Sequence, residues 1–256
     1  LRAIYILKNS ELILCEDTRT SIKLLKKFNI NTKMISYHKF NEKKRLGKII
    51  QLIKNNKIVS LISDAGTPVI SDPGMILIKE CIKNNIALHP IPGPSAVTSA
   101  LSVSGFDEKF LFYGFLPNSE TQIKNEIKNL CDFPYSIIFF VSPNKINKVI
   151  KIFKIFFSDR KIIIAKEMTK IYESFIRSDI NSLEILRYNL KGELTVVISN
   201  KFNVKKKSLN QLSESVKNEI KLMLTKYSNK DVSDFISKRE KISKKIIYDY
   251  CITLKK

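Results

Sequence analysis

The most informative segment of the chain is Ser63–Gly74, which reads SDAGTPVISDPG and follows the apolar run that begins at Lys57. It holds two of the chain's seven glycines, two of its eight prolines and two carboxylates. Prolines fix the path of a loop, and glycines let backbone N–H and C=O groups approach a ligand closely. An ordinary strand-to-helix turn requires less than this, so the stretch favours a ligand-binding loop at the carboxyl end of a strand.

Around this loop, short apolar runs alternate with segments of helical period. The strand candidates are Glu11–Asp17, Lys33–His38, Lys57–Asp64, Ile86–Ile91 and Phe110–Gly114. The helix candidates are Thr20–Phe28, Glu42–Lys54 behind an Asn41 cap, Met75–Asn84 and Ser95–Ser102. This alternation predicts a parallel sheet, and ligands of such sheets bind beyond the carboxyl ends of the strands.

A second loop of the same type, Ile91–Ala96 (IPGPSA), follows the next strand candidate and opens a helix at Ser95. The free amides at a helix start favour a carboxylate or a phosphate. Neither a Walker loop nor a GxGxxG loop occurs in the chain, so the pattern does not indicate a mononucleotide or dinucleotide site of those kinds.

A second region begins after the segment GFLP at Gly114–Pro117. Its predicted elements are a helix at Thr121–Leu130, a strand at Tyr135–Val141, a helix at Asn144–Phe157, and strands at Lys161–Glu167, Tyr172–Ile176 and Glu193–Ser199. The last two strands are too close in sequence for a long crossover, which indicates a mixed sheet. Three short helical patterns follow the lysine-rich linker at 205–207. We therefore predict a first α/β domain at 1–114, a second at 115–200 and a basic helical extension at 201–256.

Charge and composition exclude several classes of protein. With 45 Lys+Arg against 24 Asp+Glu the formal net charge is +21, but 44% of the residues are hydrophobic, which excludes a disordered basic tail. No apolar run is long enough to cross a membrane. Four scattered cysteines and two histidines favour neither a disulfide framework nor a metal site, and we predict a cytoplasmic protein.

The source of the positive charge is open from composition alone. A coding bias toward lysine accounts for the excess of positive charge as readily as selection for a polyanionic partner does. The last 56 residues nevertheless carry 15 basic and 6 acidic residues, so the charge is denser there than in the rest of the chain. A surface of this kind attracts nucleic acid in a salt-dependent way.

Seven segments together resemble one enzyme family. They are Cys15–Arg19 (CEDTR), Tyr37–Glu42 (YHKFNE), Ser63–Gly74, Ile91–Ala96, Gly114–Pro117, Ala165–Lys170 (AKEMTK) and the KGE of residues 191–193. In this order and spacing they are similar to the bacterial 16S rRNA (cytidine) 2′-O-ribose methyltransferases, which belong to the tetrapyrrole-methylase-like enzymes that use S-adenosylmethionine (SAM). The resemblance covers essentially the whole chain, and the SDAGTPVISDPG block is its most specific part.

The resemblance implies two α/β domains with SAM in the cleft between them, a small helical extension, and methylation of a cytidine ribose in 16S rRNA or the assembling small ribosomal subunit. It also implies a protein without membrane contact, and a homodimer is a further expectation. The implied cofactor-binding residues are Asp64, Ala65, Gly66, Thr67, Ile70, Ser95, Ala96, Val141 and Ala165. The implied RNA-binding residues are Arg19, His38, Lys39, Lys238, Arg239, Lys244 and Lys245.

The chain departs from the family pattern at three places, one of which is Ile198–Asn200 (ISN) where the family has Ile-Glu-Gly. The family begins with a strand and a Thr-Pro-Ile-Gly-Asn loop before the helix that matches Leu1–Ser10, and we expect both to be missing here. The family loop Tyr-Glu-Ser-Pro-His-Arg is FVSPNK at Phe140–Lys145, with the loss of a carboxylate. A catalytically inactive RNA-binding relative and a small-molecule, tetrapyrrole-type methylase therefore stay as alternative functions.

Methyl transfer from a sulfonium to a ribose hydroxyl is an in-line displacement that depends on alignment and on a group that takes the hydroxyl proton. The candidates are Lys166, Glu167 and Lys170, with Asp17, Arg19 and His38 at strand ends of the first domain. Lys166 and Glu167 would point to opposite faces of a strand, so only one of them can address a given pocket. For each of these residues a cap, a salt bridge or a solvated charge is the competing interpretation.

Overall fold

The computed structural model describes residues 1–186, 192–201, 212, 214–240 and 242–254. The chain divides into two compact units, Leu1–Asn200 and Lys201–Lys256. Two sheets with their helices form the first unit, and three helices form the second. The two-α/β-domain fold class is thus confirmed, whereas the domain bound at 114/115 stays a prediction.

The first sheet has three parallel strands in the order β2-β1-β3: β1 (Leu12–Cys15), β2 (Met34–Ser36) and β3 (Val59–Ile62). The helices that alternate with them are α1 (Arg2–Asn9), α2 (Thr18–Lys27), α3 (Glu42–Lys54) and α4 (Met75–Lys83). Side chains alternate between the faces of a strand. Accordingly, Leu12 and Leu14 pack with residues of α3 and α4, while Ile13 packs with Leu25 of α2.

The second sheet has five strands in the order β4-β5-β8-β6-β7: β4 (Phe110–Phe115), β5 (Ser136–Val141), β6 (Lys161–Lys166), β7 (Ser174–Asp179) and β8 (Leu194–Ile198). β4 and β5 are parallel, and the other three pairings are antiparallel. The expected mixed sheet is confirmed, although β7 pairs with β6 and not with β8, which follows it in sequence.

Helices cover both faces of the second sheet. α6 (Glu120–Leu130) and α7 (Ile146–Phe156) bury one face, with Phe139 of β5 in the shared core. α5 (Ala96–Ser102) covers the other face, where Val97 and Ala100 pack against Ile138 and Val197. Because α5 directly follows the loop Ile91–Ala96, its packing fixes this loop against the second sheet.

The strand predicted at Ile86–Ile91 is wrong, because the structure has irregular backbone there. Pro90 lacks a backbone N–H, and Leu88, His89 and Pro90 are exposed to solvent. No strand in the described part of the chain pairs with this segment. A strand without a pairing partner leaves its backbone N–H and C=O groups without hydrogen bonds. The apolar composition of this segment was therefore not sufficient to predict a strand.

Two further expectations differ from the structure. β4 pairs with β5, so it belongs to the second sheet rather than to the parallel sheet of the first region. The Asn41 side chain does not cap α3: its Oδ1 accepts a hydrogen bond from the His38 N–H at 2.9 Å instead. The helix still begins at Glu42, as its pattern predicts.

The second unit contains α8 (Glu214–Met223), α9 (Asn229–Glu240) and α10 (Lys244–Thr253), which match the three helical patterns of the tail. Val216, Ile220, Val232, Ile236 and Ile247 form its core. The lysine-rich linker at 205–207 lies outside the described residues. Within the described ranges no helix combines the length and the apolar character that crossing a bilayer requires.

Candidate active site

The loop Ser63–Gly74 has a strained and firmly anchored backbone. Its φ is positive at Gly66 (77°), Val69 (74°), Ser71 (69°) and Gly74 (128°), and for a β-branched residue such as Val69 this is a rare conformation. A Cβ at Gly74 would lie 2.6 Å from Leu61 Cδ2, so only glycine fits there. Strain of this kind persists where the surroundings over-determine the backbone, which is common at ligand sites.

Buried contacts hold the end of this loop. The Gly74 N–H donates a hydrogen bond to Glu42 Oε2 at 3.3 Å, and the Glu42 side chain is buried at the start of α3. On the other side, Ser71 Oγ lies within 3.4 Å of the Cβ position of Gly114, which interrupts the register of β4 with φ 87°. The loop therefore contacts both α3 and β4, the first strand of the second sheet.

The two predicted cofactor loops meet. The Thr67 hydroxyl donates a hydrogen bond to the Pro94 carbonyl at 3.1 Å, and Ser63 Oγ donates to the carbonyls of Ala65 and Gly66, each at 3.2 Å. The first loop exposes all five of its predicted cofactor residues to solvent, namely Asp64, Ala65, Gly66, Thr67 and Ile70. Ser95 and Ala96, at the start of α5, are half-buried. These seven residues therefore lie on two contacting loops.

The second sheet places Val141 and Ala165 on opposite faces. Ala165 packs with α5, whereas the Val141 side chain lies in the core under α6 and α7. Val141 can therefore offer a ligand on the α5 side only its backbone. Val141 and Lys166 both pair with Leu194 of β8, so the three side chains lie on the same face of the sheet. The Lys166 side chain therefore points to the α6/α7 face.

Two residues that sequence reasoning missed share the α5 face with Ala165. Thr195 of β8 lies directly opposite both Ala165 and Phe140, and it is buried. The Phe140 ring packs on Phe112 and Phe115 with centroids 5.0 and 5.3 Å apart. The strand register alone shows that Phe140, Thr195 and Ala165 are neighbours, because the sequence of β8 does not indicate which strands it pairs with.

A cluster of carboxylates surrounds Asp72, which is half-buried. Burial, followed by the charge of Glu16 and smaller effects of Asp64 and Glu193, raises the pKa of Asp72 to about 6, although a hydrogen bond from Ser63 opposes the shift. Sequence reasoning did not single out Asp72, because the residues that raise its pKa come from distant segments. Among the described residues no histidine, cysteine or acidic side chains are grouped so as to hold a metal ion.

Glu167 and Lys170 lie just after β6 and bind each other and Glu193. Lys170 Nζ donates to Glu167 Oε1 at 3.0 Å and to Glu193 Oε2 at 3.2 Å, and the Glu193 N–H donates to Glu167 Oε1 at 2.8 Å. This arrangement, the Glu167 latch, needs a glycine at 192, since a Cβ there would lie 2.2 Å from Glu167 Cδ. Lys191 of the KGE motif lies outside the described residues.

The latch leaves its members poorly suited to proton abstraction. Hydrogen bonds from the Glu193 backbone and from Lys170 hold the pKa of Glu167 below its usual value. Burial alone would lower the pKa of Lys170, but its hydrogen bonds to Glu167 and Glu193 outweigh burial and raise it. A low-pKa carboxylate is a weak base and a high-pKa ammonium stays protonated, so these two residues are suited to positioning.

The candidates in the first α/β region lie near the loop edge. The Asp17 N–H donates to Asp64 Oδ1 at 3.3 Å, which ties the CEDTR segment to the cofactor loop. Arg19 is highly exposed and binds the Asp17 carboxylate at 2.7 Å, and its hydrogen bond lowers the pKa of Asp17 to about 2. His38 uses both ring nitrogens locally, with Phe40 N–H and the Asn41 amide, while Lys39 is exposed.

The predicted RNA-binding residues of the second unit fall into two groups. Arg239 holds Glu219 of α8 and Glu240, and Lys244 pairs with Asp234 of α9. These two residues therefore link helices of the bundle. Lys238 and Lys245 lie on α9 and α10, where Lys245 is exposed and Lys238 belongs to the last turn of its helix.

Comparison with known proteins identifies the family. The model for tetrapyrrole (corrin/porphyrin) methylases matches residues 1–184. A protein of Thermotoga maritima named ribosomal RNA small subunit methyltransferase I is 41% identical over 205 residues, which cover 78% of this chain and 91% of that protein. A protein of the same name from Buchnera aphidicola subsp. Schizaphis graminum is 35% identical and covers 98% of this chain and 90% of its own length.

Solved structures agree on the fold. A cobalt precorrin-4 methyltransferase superimposes with a TM-score of 0.57 at 14% identity, covering 78% of this chain and 87% of that chain. A uroporphyrin-III C-methyltransferase from Thermus thermophilus gives 0.54 at 13% identity, covering 78% and 86%. The resemblance found in the motifs is confirmed, and the chain belongs to the tetrapyrrole (corrin/porphyrin) methylase family.

Proposed function

We propose that this methyltransferase moves a methyl group from SAM to the ribose 2′-hydroxyl of a cytidine in 16S rRNA. The observation that carries the proposal is the 41% identity to the Thermotoga maritima small-subunit rRNA methyltransferase across 91% of its length. The dense basic charge of the last 56 residues supports a polyanionic substrate. On this proposal the protein acts in the cytoplasm, and its homodimer stays a prediction.

The two contacting loops fit a donor of this chemistry. SAM supplies an electrophilic methyl group on a cationic sulfonium, and it also carries an ammonium group. The carboxylates of Glu16, Asp64 and Asp72 give the loop edge a negative potential that suits such cations. The exposed loop amides around Gly66 and the helix start at Ser95 suit the donor's carboxylate and hydroxyl groups.

On this proposal Asp72 accepts the proton of the ribose hydroxyl. With a pKa of about 6 it is mostly ionised at neutral pH, yet it is a stronger base than an ordinary carboxylate. The Glu167 latch keeps Glu193 in place, and Glu193 is one of the charges that act on Asp72. Glu167 and Lys170, two of our sequence candidates for catalysis, are thereby proposed as positioning residues, whereas the side chain of the third candidate, Lys166, leaves the sheet on the α6/α7 face.

The test is methylation of isolated small ribosomal subunits by the full chain with isotopically labelled SAM. We expect label in 16S rRNA, recovered after nuclease digestion as 2′-O-methylcytidine. Label on the base, or none in RNA, would contradict the proposal.

The alternatives have distinct outcomes in the same assay. A small-molecule methylase would label an added tetrapyrrole and leave RNA unlabelled; the structures named for such reactions share only the fold at 13–14% identity. An inactive RNA-binding relative would label neither substrate and would show no binding of S-adenosylhomocysteine by calorimetry.

A further inference from the structure

A groove between α6 and α7 lies outside the site described above. Its cavity has a volume of about 340 Å³, within the size range of small-ligand pockets. Its lining combines lysines with an isoleucine wall, and it consists of Glu120, Lys124, Asn147, Lys148, Lys151, Ile152, Ile155 and Ile185. We call this the α6/α7 groove.

One wall of the groove is cationic. Glu120 binds Lys124 Nζ at 2.9 Å and Lys148 Nζ at 3.1 Å, so a single carboxylate bridges two lysines. Lys151 follows Lys148 on the same helical stripe and adds a third positive charge. The groove therefore keeps a net positive charge when Glu120 is ionised, and the hydrogen bonds of both lysines favour that state by lowering the pKa of Glu120.

Exposed apolar side chains lie beside these lysines. Ile155, on the α7 stripe of Lys148 and Lys151, is 64% exposed, and Ile185 is 49% exposed. Asn147 fixes the segment of Ile185: its Nδ2 donates to the Leu186 carbonyl at 3.0 Å and its Oδ1 accepts from the Leu186 N–H at 2.9 Å. A cavity lined by both lysines and isoleucines suits a ligand that has both a phosphate and an apolar surface.

The sheet topology brings the groove to the edge that carries the candidate active site. β4 and β5 are parallel, and α6 and α7 begin just after their carboxyl ends. β6 runs in the same direction as β5, because both are antiparallel to β8, so Glu167 follows β6 at this edge too. RNA that extends from the active site can therefore reach Glu120 and Lys148 around the edge of the sheet.

We propose that the α6/α7 groove binds one nucleotide of single-stranded RNA, with its phosphate on Lys124, Lys148 and Lys151 and its base against Ile155 and Ile185. The inference rests on the proposed function for the source of the RNA, but not for the binding itself. A phosphate at this place competes with Glu120 for the two lysines. Removing the Glu120 charge should then strengthen RNA binding more than removing an exposed carboxylate outside the groove, such as Glu108.

The test measures the affinity of the full chain for a fluorescein-labelled single-stranded RNA of ten nucleotides at several salt concentrations. Glu120→Gln is expected to tighten binding roughly two- to fivefold, the range for removal of a competing surface ion pair. The double variant K148E/K151E is expected to weaken binding and to reduce the slope of log affinity against log salt by about 0.7 for each phosphate that the protein no longer neutralises. Ile155→Ser should weaken binding of this RNA but not of an abasic strand of equal length.

The matched control is K79E/K83E, which makes the same charge change at two lysines on α4. Equal effects of the two double variants, or unchanged affinity in Glu120→Gln, would overturn the proposal. If K148E/K151E does not fold, Glu120→Gln decides by comparison with Glu108→Gln, and equal tightening in these two variants would overturn the proposal. Binding is measured without SAM, so failure of rRNA methylation would refute the proposed function while leaving this result intact.

Discussion

Asp72 owes its properties to residues that the fold brings together from separate parts of the chain. Glu16 follows β1, Ser63 and Asp64 follow β3, and Glu193 precedes β8. A carboxylate among other carboxylates favours its protonated form, and burial strengthens this preference. The carboxylates around Asp72 repel one another in the ligand-free protein, and a bound cationic donor would reduce this repulsion.

Asp72→Asn is expected to lower the methylation rate by about 10²-fold or more, the usual contribution of a positioned base. In the unchanged protein, the rate should fall below about pH 6 as Asp72 becomes protonated. The measurement is the pH profile of kcat with small ribosomal subunits as substrate. A profile that stays flat to pH 5, or an Asn variant of full activity, would contradict a base role for Asp72.

The same variant is expected to stabilise the protein at neutral pH. The folded-state pKa of Asp72 is raised above its unfolded value, so its charge destabilises the fold above about pH 6 and this cost disappears as the pH falls below about 4. Denaturant unfolding of Asp72→Asn at about pH 7.5 should show a gain of about 1–2 kcal/mol. The gain should vanish near pH 4.

Gly192→Ala tests the Glu167 latch. An added Cβ would combine an unfavourable φ of +96° with a position 2.2 Å from Glu167 Cδ, so the carboxylate must move away from Glu193 and Lys170. We expect a decrease of about 2–3 kcal/mol in unfolding free energy together with a lower kcat. The control is Gly105→Ala, at φ +71°, where the Cβ meets none of the described atoms within 4 Å and only the backbone cost of about 1 kcal/mol applies.

At the scale of elements, the contact of two loops defines the candidate site. Thr67→Val keeps the shape of the side chain and removes its hydrogen bond to the Pro94 carbonyl. We expect binding of S-adenosylhomocysteine to weaken by about 0.5–1.5 kcal/mol in calorimetry, the net value of such a bond. Thr67→Ser retains the hydroxyl and should bind like the unchanged protein; equal decreases in both variants would point to packing instead.

Local pattern predicts most elements of this chain, because strand alternation and helix period are properties of a single segment. Pairing is a property of two segments, and apart from the Asn41 cap of α3 the errors occur there. Ile86–Ile91 is apolar but has no pairing strand among the described residues, and β4 joins a sheet whose other members follow it in sequence. For the same reason the loops of the candidate site could be recognised from their sequence, whereas Thr195 and Phe140 became visible only through the register of β8.

At the scale of the whole molecule, the basic charge is concentrated in a unit with its own core. The core of α8–α10 consists of residues from that unit, and Arg239 and Lys244 serve its internal ion pairs. Removal of Lys201–Lys256 should therefore leave binding of S-adenosylhomocysteine within about twofold and weaken methylation of small ribosomal subunits by more than about tenfold, because the segment of highest positive charge density, with 15 basic and 6 acidic residues, is removed. Equal activity on rRNA without this unit would contradict its proposed role in RNA contact.

Methyl transfer to a cytidine ribose of 16S rRNA can be measured by mass spectrometry of 16S rRNA nucleosides from a bacterial strain that lacks its own enzyme of this kind and expresses this chain. We expect 2′-O-methylcytidine to return with the unchanged chain and to stay absent with Asp72→Asn expressed at the same level. Absence of 2′-O-methylcytidine with the folded, unchanged chain would contradict the proposed function.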